Sequence, residues 1–193
     1  LHVRSRRQRQ MCIRDRYFYC MADFDELHRV IHSIASGFKE ECIRCMEEHK
    51  NVLVDCIQEQ LYSGLDGTEH LLNPDYDTDT YFNEPGPWQN RAEQYKRWKE
   101  RITPPLRSEM LYLPPRPVEV PNLFITGTFY DSITADRIDS GLRFSTKGFT
   151  DGSSIEKKYG ELILGIGDTA KEYFNIMYLR PWMERFFSEC GYR

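Results

Sequence analysis

The chain has 193 residues, with 26 Lys and Arg against 30 Asp and Glu and a formal net charge of −4. An acidic chain is a poor candidate for a phosphate-tracking nucleic-acid surface, which needs clustered Lys and Arg. The 12 Tyr and 11 Phe argue against disorder throughout, and no run approaches the roughly 18 uncharged apolar residues of a membrane span.

The chain opens on a basic segment. Arg6-Arg7-Gln8-Arg9-Gln10-Met11-Cys12-Ile13-Arg14-Asp15-Arg16 resembles an in-frame translation of a transposase-type sequencing adapter, and Leu1-His2 is similar to the translated piece upstream. The alternative is a natural basic arm that binds nucleic acid. On the adapter reading, residues 1–16 are a non-native artefact in a metagenomic sequence, they are set aside from fold reasoning, and the expected native start is Met21. They hold six Arg and one Asp, a balance of +5, so −4 becomes −9 for residues 17–193. About 175 residues remain, which suits a single domain over 21–193 burying roughly 70% of its unfolded surface. Ala22-Asp23-Phe24-Asp25-Glu26 is too acidic for a signal peptide. With Cys12 set aside, five of the six Cys remain, without framework spacing, and a reduced cytosolic environment is expected.

From Asp23 to Ser63 apolar residues recur at helical spacing: Phe24, Leu27, Ile31, Ile34, Phe38, Cys42, Met46, Leu53, Ile57, Leu61. Asp23 with Glu26 forms a capping-box pair, and Gly64 is the stop signal. One helix of ~60 Å, bent near Gly37, and two helices broken at Gly37 both fit. Residues 65–90 read as polar turns. Gln89 to Arg101 reads as a short amphipathic helix with Tyr95 and Trp98 one above the other. Thr103 to Pro121 holds six of the 10 prolines and reads as an extended loop. Tyr130–Ile138 and Gly141–Lys147 alternate as strands around an Asp139-Ser140 turn. Ser154 is expected to cap a helix running to about Ile166, Asp168 another near 169–177, and Pro181 to start a last helix before Gly191. The sum is α+β: a long N-terminal helix, a small antiparallel sheet and C-terminal helices.

Four patterns bear on chemistry. Cys42, Cys45, His49 and Cys56 offer zinc ligand types. They fall on one apolar helix face, however, and Cys42 and Cys56 would lie about 21 Å apart, so buried small side chains explain them better. Asp75, Asp77 and Asp79 resemble the opening of a calcium loop, but Thr80 stands where the loop needs Gly and Gly86 where it needs Glu. A solvated loop is the better reading. Gly165-Ile166-Gly167-Asp168-Thr169-Ala170 has the form GxGxxA, yet too little chain follows for a dinucleotide fold. Leu113-Pro114-Pro115-Arg116-Pro117 could dock as a polyproline segment, although loop rigidity is the commoner reason for such a run. There is no GxSxG elbow, nor a Ser or Cys whose partner His follows from spacing. No catalytic residue, cofactor or metal is assigned.

Gly127 permits a bend that a Cβ would resist, Thr126 can bond the turned backbone, and Phe129 and Ile133 are expected to point into the core. Pro181 is expected to preset a helix start that buries Trp182 beside Phe186.

Three segments resemble, in order, the virion-morphogenesis and tail-completion proteins of tailed phages, which join head to tail. Ile57-Gln58-Glu59-Gln60-Leu61-Tyr62-Ser63-Gly64-Leu65-Asp66-Gly67 is similar to that family's helix end and turn. Asn122 to Ile133 resembles its "L-x-x-T-G-x-L-x-x-S-I" signature through Leu123, Thr126, Gly127, Phe129, Ser132 and Ile133. Leu179-Arg180-Pro181-Trp182-Met183 is similar to its "R-P-F-L" near the C-terminus, and a weaker likeness covers Tyr159 to Gly165. The chain departs from the family in its proline-rich stretch, in Gly160 where the family has Ala, and in lacking an acidic-aromatic-Gly-Thr run after Tyr159.

The resemblance implies a non-enzymatic virion protein, made in the host cytoplasm and placed as a ring at the neck or tail. It would contact connector, neck or tail-tube proteins and copies of itself, with no direct contact to nucleic acid or membrane. Thr126, Gly127, Phe129, Ser132, Ile133, Tyr159, Gly165, Arg180, Pro181 and Trp182 would be its structural and interaction residues. The alternatives are a cytosolic adaptor of a prophage or host, and a small zinc-binding module on Cys42, Cys45 and His49.

Overall fold

A computed structural model describes residues 3–105, 109–114, 119–147, 149 and 152–192, with backbone alone over 3–23 and 152–153. The readings of Leu1-His2, and of Pro115-Arg116-Pro117 within the proline-rich loop, lie outside the described residues. The fold is mixed helix and sheet, as the periodicities predict. Composition reads 21–193 as one domain; the Cα arrangement forms two compact units, Leu1–Cys42 with Pro181–Arg193, and Ile43–Arg180.

Helix α1 spans Val3–Glu48. The backbone is helical on both sides of Asp23, so the expected cap there is not used. Arg, Gln, Met and Ala fill the upstream turns without Gly or Pro, and these are strong helix formers. Gly37 does not break the helix either. A Cβ there would lie 2.9 Å from Phe186 Cζ, so glycine serves a close side-chain approach. In this unit Phe38 stacks on Phe187 at 6.4 Å and Met183 is buried.

The interruption comes at His49, whose φ of −106° and ψ of 23° leave the helical region before α2, Lys50–Tyr62. The His49 ring packs on Tyr178 at 4.7 Å. At the far end Gly64 does what a stop residue should. Its φ is +69°, the Leu65 N–H reaches Gln60 O at 2.9 Å and the Gly64 N–H reaches Leu61 O at 2.9 Å. These two bonds form a Schellman cap.

Helix α3, Ala92–Ile102, sets Tyr95 against Trp98 at 5.3 Å, as the spacing predicts. The first expected strand begins later than its alternation suggests, because Thr128–Ser132 is a helical turn, α4. Gly127 at φ +88° turns the chain into it, and Ser132 Oγ bonds Phe129 O at 2.6 Å. Strands β1, Ile133–Ile138, and β2, Gly141–Thr146, pair antiparallel from Ile133↔Thr146 to Ile138↔Gly141, which leaves Asp139-Ser140 as the turn.

The C-terminal elements differ from expectation at their ends. Helix α5 starts at Gly152, so Ser154 is inside it, and stops at Tyr159 because Gly160 takes φ +90°. A 3-10 turn over Glu161–Leu164 follows. Helix α6, Asp168–Phe174, passes into a π-helical turn, Asn175–Leu179, and then into α7, Arg180–Glu189. Pro181 therefore lies within a helical run and does not begin one. The wide turn is its local accommodation: proline has no N–H to donate, and the Arg180 N–H reaches back five residues to Asn175 O. No described helix is long and apolar enough to cross a membrane.

Candidate functional site

In the larger unit the core gathers Ile57, Leu61, Leu72, Phe129, Ile133 and Ile163. Three adjacent polar residues of α2 tie distant loops to it. Gln58 Nε2 donates to Tyr130 O at 3.0 Å. Gln60, 1% exposed, donates to Gly165 O at 3.3 Å and accepts from the Gly167 N–H at 3.0 Å. Between them Glu59, also 1% exposed, accepts the backbone N–H groups of Met110 at 2.7 Å, Leu111 at 2.9 Å and Leu113 at 3.2 Å. A buried carboxylate is tolerable only when so bonded.

The GxGxxA glycines serve the same packing. The Gly67 and Gly165 backbones lie so close that a Cβ on Gly67 would fall within Gly165, and 2.8 Å from Leu162 O. Gly67→Ala should therefore lower stability by about 2 kcal/mol through overpacking. Urea unfolding of the variant measures it, and an unchanged midpoint would show that the loops move apart freely.

The family-like residues separate into three settings. Phe129, Ser132 and Ile133 are buried, whereas Thr126 is exposed and bonds Thr128 Oγ1 at 2.8 Å. Thr126 and Gly127 line a groove of about 390 Å³ with Asp55, Tyr62, Phe124 and Asp131, where burial pushes the Asp55 carboxyl upward. In the smaller unit Trp182 is half-buried, short of the full burial expected, because its ring N–H donates to Glu41 Oε2 at 3.1 Å and Arg185 lies 5.3 Å over the ring. Pro181 is exposed, and so is Arg180, the last residue of the larger unit.

The three aspartates of the calcium-like loop work separately. Asp75 Oδ1 accepts from the Asp77 and Thr78 N–H groups at 3.0 and 2.8 Å, Asp77 pairs with Lys96 at 2.7 Å, and Asp79 pairs with Lys158. Among the described residues no three His, Cys, Asp or Glu side chains gather as a metal-holding group. Cys45 and Cys56 are fully buried, and desolvation, with Glu59 and Asp55 nearby, pushes the Cys56 thiol up to about 12, which keeps it protonated.

Sequence reasoning missed a second cavity. It measures about 330 Å³ and is lined by Tyr76, Tyr81, Tyr95, Lys99, Lys158 and Tyr159 among others. Tyr81 and Ile125 are exposed at its mouth, while Tyr76 and Lys99 are 4% and 2% exposed. Lys99 donates to Phe124 O, and desolvation pushes its ammonium down to about 8. Burial pushes the Tyr76, Tyr95 and Tyr159 hydroxyls upward, Tyr95 to about 12. The signal was present: Lys99 stands between Tyr95 and Ile102 on the apolar stripe of α3, where a solvated lysine does not belong. Compared with family models, curated proteins and solved structures, the chain matches none.

Proposed function

We propose that the chain is a structural, non-enzymatic virion protein that acts in head–tail joining or tail completion of a tailed phage. One observation carries the reading. The segments that resemble that family at 57–67, 122–133 and 159–165 are far apart in sequence, yet they pack as one body. Gln58 holds Tyr130, Gly67 abuts Gly165, and Ile57, Leu61, Phe129, Ile133 and Ile163 share a core. Residues that only fit one another around a common centre are those a shared fold would retain.

Self-association with neck or tail copies is supported by α1. Phe24, Leu27, Ile31, Ile34 and Phe38 follow a strict a/d heptad, and Phe24, Leu27 and Ile31 stay exposed. Such a seam suits a partner helix. On this reading the protein is made in the host cytoplasm and ends in the virion. Deleting the gene from its phage should give separate heads and tails, counted by negative-stain microscopy, with the protein found by mass spectrometry in wild-type particles. Assembled infectious particles without it would end the assignment.

A further inference from the structure

Burying a cation without a neutralising partner is costly, and proteins retain such groups where they meet a ligand. Lys99 is of this kind. Its hydrogen bond goes to a neutral carbonyl, that of Phe124, and among the described residues no carboxylate pairs with it. Asp79, the one carboxylate among the described residues of the cavity wall, is paired with Lys158. The ammonium of Lys158 also lies 6.0 Å from the Tyr81 ring centre and 5.4 Å from that of Tyr159. Among the described residues the lining therefore carries two cations and one anion, an excess of one positive charge within an acidic chain.

A second observation points the same way. Tyr76 lines the same cavity and its hydroxyl is buried; the Asn122 backbone N–H faces its oxygen, and among the described residues its O–H finds no acceptor. The remaining wall is largely aromatic. Tyr76 and Phe82 meet Tyr95 edge-on at 5.5 and 5.3 Å, and Tyr81 meets Phe82 at 5.4 Å. Flat apolar faces, one unneutralised ammonium and one spare hydroxyl donor describe complementarity to a flat, singly charged anion. The volume lies at the lower end of the roughly 300–1,000 Å³ of small-molecule pockets.

We propose that this cavity binds a small monoanionic carboxylate with a planar apolar body, its carboxylate on Lys99 and Tyr76 and its ring among Tyr81, Phe82, Tyr95 and Tyr159. The inference is independent of the virion reading, since a joining protein and an adaptor could each hold such a ligand.

Isothermal titration of the full chain with benzoate, and with benzylammonium as the charge-reversed control, tests it. Benzoate should bind one per chain, at least about tenfold tighter than benzylammonium. Lys99→Met should weaken benzoate by about tenfold or more, and Tyr76→Phe by about threefold to tenfold, as expected for a charged and a neutral hydrogen bond. Both variants preserve side-chain shape, and circular dichroism checks that each is folded. Absence of saturable benzoate binding, equal binding of the two probes, or affinity untouched by Lys99→Met would each overturn the proposal.

Discussion

Replacing Lys99 by methionine should make the protein more stable at neutral pH, by about 2–3 kcal/mol. Burial lowers the Lys99 ammonium from its ordinary 10.5 to about 8. Below that point the folded state carries a charge it disfavours, a penalty of about 3 kcal/mol. Losing the bond to Phe124 O offsets about 1 kcal/mol of the gain. The sign with pH follows. Between about 8 and 10 the unfolded chain holds a proton at Lys99 that the folded chain has released, so wild-type stability should rise with pH. Above 10 it should fall again. Tyr76, Tyr95 and Tyr159 have raised values when folded, so their contribution is lost once the unfolded tyrosines ionise. Guanidinium unfolding from pH 7 to 11 would trace this rise and fall, and Lys99→Met should remove the rising limb. A variant less stable than the parent at pH 7 would show that the ammonium is solvated or paired.

The second large effect concerns Glu59. Glu59→Ala should destabilise the larger unit by about 4 kcal/mol, because the Met110, Leu111 and Leu113 N–H groups would lose their acceptor in the interior. Glu59→Gln keeps one acceptor oxygen but turns an NH₂ toward the other donors, and about half that loss is expected. Hydrogen exchange separates a local from a global effect. The Leu111 amide should lose protection in Glu59→Ala even where the rest of the unit stays closed. A loss under about 1 kcal/mol would mean that water takes the carboxylate's place.

The contrast between these residues and those visible from sequence is physical. Gly64, the Tyr95–Trp98 pair and the Asp139-Ser140 turn are local features, written by residues within five positions of one another, and each is where periodicity and turn chemistry predict. The inward bonding of Glu59 and Gln60 is not read from the sequence because their tertiary partners stand 51 to 107 residues away. Their positions on the stripe through Val52, Leu53, Cys56 and Ile57 did mark them, since a polar side chain on an apolar face must find bonds inside. Lys99 is the same case on α3. The helix ends moved for another reason. The break at His49 and the π turn before Pro181 arise where the backbone makes way for a ring or a missing N–H, which side-chain periodicity does not report.

The knot of bonds at Gln58, Glu59 and Gln60 also bears on how the molecule is made. Apart from Asp66, which Gln60 also reaches, their partners lie between Met110 and Gly167, so a nascent chain emerging from the ribosome waits for a further 51 residues before Glu59 meets its first partner, 72 for Gln58 and 105 for the distant partners of Gln60. At roughly 5–20 residues per second these are intervals of seconds or more. Translation itself then sets the moment at which this end of the helix can close.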